Sequence, residues 1–167
     1  MRENNELKKI KEMLQGHEKR IKFLENIFTN LKSEEITLLE GRADIEKLAK
    51  KIGVNSKKVR ELFDIENNTL TLLKIVGKDD REKAQKISLA ALLGYKYFLG
   101  NEKVLSKEIR RNVAENRVPV NNFATYLNEI IPSLIRRIGK SRSPKTTYKL
   151  TPLGEAEAKE ILRKLCE

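Results

Sequence analysis

Leu48-Ala49-Lys50-Lys51-Ile52-Gly53-Val54-Asn55-Ser56-Lys57-Lys58-Val59 is the stretch on which the fold turns. Ile45, Leu48, Ala49 and Ile52 recur at helical spacing and form one apolar face, with Asp44 placed to cap the helix start. Gly53 supplies a left-handed residue that ends the helix. Asn55 or Ser56 can cap a second helix whose apolar positions are Val59, Leu62 and Phe63. Two short helices joined by a turn of about four residues with glycine in it make a helix-turn-helix. The packing logic is local: small Ala49 lets the helices cross closely, Gly53 makes the sharp turn, and Val59 anchors the second helix.

Working outward, Asn67-Asn68 can supply the two positive-φ residues of a tight hairpin turn, with Leu62–Ile65 and Thr69–Ile75 as its arms. A strand at Ile36–Leu39 would complete a small sheet, making residues 34–78 a first winged unit. Gly77-Lys78-Asp79-Asp80 marks the boundary to a second, residues 79–167. There Asp79 or Asp80 caps a helix over Arg81–Leu99, with Ala84, Ile87, Ala91, Leu92 and Tyr95 on one face. Val104–Asn116 reads as a second helix. A third is capped by Asn121 or Asn122, with Phe123, Tyr126, Leu127 and Ile130 facing inward; as a recognition helix it spans Pro119–Ile131. A strand at Leu134–Gly139 leads through a basic loop, Lys140–Thr146, to a return strand at Thr147–Leu150. Pro152 and Gly154 then open a closing amphipathic helix.

Residues 1–33 carry a sparse apolar stripe, Leu7, Ile10, Leu14, His17, Ile21, Leu24, Phe28 and Leu31, whose steps alternate three and four. That is a heptad pattern and predicts a coiled-coil-like helix pairing two copies of the chain. In a parallel pair Glu6 faces Lys11 and Arg20 faces Glu25, both attractive; Gly16 interrupts the middle, and the other reading is a single amphipathic helix folded back on its own chain. His17, the one histidine, falls at a heptad core position, where it is read as a tolerated polar residue rather than a pH sensor.

The C-terminal stretch Leu134-Ile135-Arg136-Arg137-Ile138-Gly139-Lys140 through Tyr148-Lys149-Leu150-Thr151-Pro152-Leu153-Gly154 resembles the wing and last helix of archaeal winged-helix regulators, matching at Tyr148, Leu150, Thr151 and Gly154. The Ala49, Gly53 and Val59 pattern is similar to the helix-turn-helix core of many bacterial and archaeal transcription regulators. With the heptad stripe, the resemblance implies a mainly α (α+β) protein: tandem winged helix-turn-helix units behind the N-terminal coiled-coil-like helix that the heptads predict.

Charge points to the same class of partner. Lys and Arg number 35 against 24 acids, net +11, which favours a polyanion. Residues 79–167 hold 18 of the bases and 11 of the acids, and Ser133–Leu150 contains Arg136, Arg137, Lys140, Arg142, Lys145 and Lys149 with no acid. Asn121, Asn122 and Thr125 are expected base readers, since Asn pairs bidentately with adenine and Thr touches base edges or the thymine methyl. Arg136, Arg137, Lys140 and Lys145 suit phosphates, and Arg142 at the loop tip suits a narrow minor groove. In the first unit Asn55, Ser56, Lys57, Lys58 and Arg60 would face the duplex. The expected second recognition helix carries no Arg or Lys.

Other functions find little in the residues. There is no phosphate-cradling glycine loop, no Cys/His cluster and no base for a nucleophile triad, so neither an enzyme nor a metal or cofactor is expected. Cys166 alone makes neither a disulfide nor a zinc site. The apolar run Ile87–Gly94 is too short to span a bilayer, and the N-terminus lacks a secretory core. The expectation is a cytoplasmic, nucleoid-associated homodimer that binds duplex DNA and regulates transcription. A winged-helix protein-interaction or chromosome-organising scaffold ranks second, and RNA binding third.

Overall fold

The computed structural model describes residues 17–26, 45–66, 68–140 and 143–167. Residues 17–26 are helical, and every residue of that segment is exposed, Ile21, Phe23 and Leu24 among them. The rest of the expected heptad stripe (Leu7, Ile10, Leu14, Phe28 and Leu31), the strand at Ile36–Leu39, the Asp44 cap, Asn67 and Arg142 lie outside the described residues.

Residues 41–167 make one compact unit. Its first helix, α1, covers residues 45–52 and ends where Gly53 takes φ 72°, a conformation that a Cβ would strain. The Val54 amide closes the turn on the Ala49 carbonyl at 3.0 Å. Helix α2 (Ser56–Glu61) follows, and the Asn55 side chain accepts from the Lys57 amide to cap it. Leu48, Ala49 and Val59 are all buried and belong to one core cluster. Strands β1 (Phe63–Glu66) and β2 (Thr69–Leu72) form a hairpin where one was expected, with its first arm shifted by one residue from Leu62–Ile65 and its second ending short of Ile75; Glu66 pairs with Thr69, and Asn68 takes φ 61°.

Helix α3 (Asp80–Leu99) starts at Asp79, whose carboxylate accepts from the Glu82 amide at 2.8 Å. Its sequence reads as one apolar face, yet Ile87 through Tyr95 are buried without interruption. A helix apolar all round must be covered all round. Here β2 packs against it, together with α4 (Ser106–Glu115), α5 (Phe123–Asn128), β5 (Thr147–Leu150) and α6 (Pro152–Cys166). The ring of Phe63 meets that of Phe98 at a centroid distance of 5.0 Å.

Two sequence expectations change in the next segment. Val104–Leu105 is not the start of a helix but strand β3, which pairs with Tyr148 and Thr147; the helix proper, α4, is Ser106–Glu115. Two apolar residues at a helix start look helical by spacing, and only a partner about forty residues away makes them a strand. Helix α5 covers Phe123–Asn128, shorter than Pro119–Ile131 at both ends. Strands β4 (Ile135–Ile138) and β5 (Thr147–Leu150) are antiparallel, and the sheet order is β3-β5-β4.

Helix α6 (Pro152–Cys166) closes the chain. Thr151 caps it and also clasps the end of α5's connection: its hydroxyl donates to the Ser133 carbonyl at 2.6 Å, and its amide donates to the Leu134 carbonyl at 3.0 Å. Gly154 sits against that same peptide. A Cβ there would overlap the Leu134 carbonyl oxygen and lie 2.7 Å from its carbon, so only glycine fits.

The hairpin is fixed to α4 by polar side chains. The residues of β2 that point their backbone groups away from β1 are Leu70 and Leu72, because the hairpin bonds Thr69 and Thr71 inward. Buried Asn112 donates to the Leu70 carbonyl and accepts from the Leu72 amide, both at 2.8 Å. Asn116 donates to the Leu72 carbonyl at 2.8 Å, and the Leu70 amide donates to the Tyr95 hydroxyl at 3.3 Å. Side chains thus complete the outer edge of β2. Among the described residues no helix is long and apolar enough to cross a membrane.

Candidate nucleic-acid interface

Asn121, Asn122 and Thr125 are all exposed at the start of α5. Asn122 occupies the cap position without making a side-chain cap bond, so its amide is not consumed by the helix; it only grazes the Tyr126 hydroxyl at 3.5 Å. Two contacts that sequence spacing gives no sign of hold α5 in place. Gln85 on α3 donates to the Tyr126 carbonyl at 2.9 Å and to Glu129 at 3.0 Å. Arg137 on β4 donates to the Asn128 side chain at 3.1 Å. The second contact ties the basic strand directly to the helix that carries the candidate base readers.

The described part of the 140–146 loop is ordered by its own hydrogen bonds. The Thr146 hydroxyl and the Ser143 amide both donate to the Lys140 carbonyl, and the Thr146 amide donates to the Ser143 carbonyl. Thr146 is buried, and its carbonyl accepts from the Ser106 amide at 2.8 Å, which anchors the loop to the start of α4. Lys140 and Lys145 are exposed on this frame; Arg142 lies outside the described residues. Arg136 and Arg137 are neighbours in β4 and so point to opposite faces of the sheet. Tyr148, the cross-strand partner of Arg137, is buried on the core side, so Arg136 faces away from the core.

Sequence spacing also passes over two cations next to α5. Arg110 donates to the Val120 carbonyl at 3.1 Å, and Arg117, at φ 58°, takes the left-handed position just after α4. Both are exposed. The positive charge around α5 therefore comes from α3, α4, the turn before it and the strands after it, with none on the helix itself. The signal in the sequence was Arg117 standing immediately before the Val118-Pro119 break.

Around α2 the candidate set divides. Lys57 and Arg60 are exposed and Ser56 is half-buried. Asn55 spends its side-chain oxygen on the cap, and Lys58 donates to the Cys166 carbonyl at 2.6 Å, at the end of α6 where the helix dipole favours a cation. Lys58 is thus a tether between helices.

A cluster centred on Glu155 joins α3 to α6. Lys96 and Lys159 each donate to it, at 2.6 and 2.7 Å, and the Tyr97 hydroxyl donates at 3.1 Å. Burial pushes the carboxyl up, but the two ammonium groups outweigh it and hold it down at about 2. No group of three or more His, Cys, Asp and Glu residues among those described could hold a metal ion. Comparison with protein-family models, curated proteins and solved structures finds no match to this chain.

Proposed function

We propose that this chain is a winged helix-turn-helix protein that binds duplex DNA and regulates transcription. The reading for residues 79–167 is supported by the order helix, strand, helix, helix, strand, strand, helix, with β3-β5-β4 as the sheet. In such modules the second helix of the pair enters the major groove and the loop between the last two strands touches the backbone or the minor groove. Here those parts are α5, with Asn121, Asn122 and Thr125, and the 140–146 loop, with Lys140, Arg142 and Lys145. The observation that carries the reading is the Arg137–Asn128 bond, which holds an acid-free basic strand against the C-terminal end of the helix whose other end carries the candidate base readers. The N-terminal heptads would pair two copies, so that two half-sites are read together.

A gel-shift titration against random and selected duplexes at two salt concentrations tests this. Each phosphate contact should steepen the salt dependence by about 0.9 log unit of affinity per log unit of salt. Binding that ignores salt, or that survives Arg137, Lys140 and Lys145→Ala together, rejects it. The second reading is a winged helix used for protein contacts. It is favoured by the absence of any cation on α5, and it predicts a stable protein partner and only weak, sequence-blind DNA binding.

A further inference from the structure

Arg136 and Lys149 are direct cross-strand partners in β4 and β5, on the sheet face away from the core. Like charges placed directly opposite one another weaken a strand pair. Neither side chain has a hydrogen bond or ion pair among the described residues. The next pair on that face, Ile138 with Thr147, offers no carboxylate. Both cations line one cleft of about 360 Å³, within the range of small-ligand sites, together with Lys96 and the first turn of α6. The Glu155 carboxylate in that lining is neutralised by Lys96 and Lys159. Glu102, exposed just after α3, is the one lining carboxylate with no cation partner among the described residues. Three cations, one engaged acid and one free acid leave the cleft positive, and the start of the fifteen-residue α6 adds the partial positive charge of a helix N-terminus.

We propose that this cleft binds a phosphate-type oxyanion, bridged between the Arg136 guanidinium and the Lys149 ammonium. The anion relieves their mutual repulsion and takes charge-assisted hydrogen bonds from both. It can arrive as a free small-molecule phosphate or as a backbone phosphate of a nucleic acid. Unlike Lys140 and Lys145, Arg136 then serves a concave site rather than an open surface.

The test is a two-dimensional amide NMR titration of the full chain with inorganic phosphate, with sodium chloride at matched ionic strength as the control. Saturable shifts are expected at Arg136, Lys149 and Thr151. The Arg136→Gln/Lys149→Gln variant should weaken binding by about tenfold or more while the β4–β5 amide pattern stays native. Glu102→Gln should tighten binding a few-fold, which a merely structural role for the two cations would not produce. Shifts that rise linearly with no saturation by about 20 mM phosphate, or that persist unchanged in the double variant, overturn the proposal. Adding a short duplex separates the sources. Displacement of phosphate assigns the site to the nucleic-acid backbone. Binding of the duplex alongside phosphate assigns it to a small molecule. Phosphate binding with no duplex binding upholds the site and removes the DNA reading.

Discussion

Replacing Asn112 by leucine should destabilise the protein by about 2–4 kcal/mol. The amide makes its two 2.8 Å bonds to the outward-pointing backbone of β2, at the Leu70 carbonyl and the Leu72 amide. Its further bond, to the Glu108 carbonyl at 3.1 Å, lies within α4 and is dispensable. Leucine leaves one carbonyl and one amide of β2 buried without partners, and each such loss costs about 1–3 kcal/mol. The added apolar burial offsets about 1–2 kcal/mol of that. Urea unfolding followed by circular dichroism gives the total, and hydrogen exchange gives its location. The Leu72 amide should lose protection first, while Thr71, bonded within the hairpin, keeps more. A stability loss under about 1 kcal/mol, with Leu72 still protected, would refute the view that Asn112 completes the strand edge.

Three further outcomes can be checked. Gly154→Ala should lower the melting temperature by about 4–8 °C: the added methyl meets backbone that Thr151 holds in place, at a cost of about 3 kcal/mol, against less than about 1 gained in helix propensity. Glu155, held at about 2 against an ordinary value of 4.5, contributes stability that is fully present above pH 4.5 and is lost as pH falls through 2. Glu155→Gln should therefore lower stability at pH 7 by on the order of 2 kcal/mol and flatten the acid side of the stability curve, as read by denaturation across pH 2–7. Arg137→Ala should loosen sequence discrimination in selected-site binding by freeing Asn128, whereas Lys140→Ala or Lys145→Ala should lower the salt slope by about one each without changing the preferred sequence.

What the sequence made legible was local. The Ala49, Gly53 and Val59 pattern works because every contact it implies falls within about ten residues, and the Asn55 and Asp79 caps and the positive φ of Asn68 are read the same way. The long-range features were not legible. Strand β3 exists only through its pairing with β5. The full burial of α3 follows from elements on both sides of it in the chain, although the uncharged run Ile87–Gly94 hinted at it. At the candidate interface, the exposed residues were identifiable by type. What orients them, Gln85 and Arg137, was not, because hydrogen bonds between separate elements, 41 residues apart for Gln85 and 9 for Arg137, leave no periodic trace. Lys58 shows the opposite failure: its place in a basic run suggested a phosphate contact, while its ammonium ties α2 to the end of α6.

The side-chain clasp on β2 also bears on phase. Because α4 grips the hairpin that follows α2, the angle and spacing between α2 and α5 are set when the chain folds. A molecule built this way measures like a fixed caliper. If α2 and α5 both contact duplex DNA, as the proposed function would have it for a partner long enough to reach both, the duplex must present its features at the matching interval, and inserting or deleting half a helical turn between the two contacts should abolish the second one.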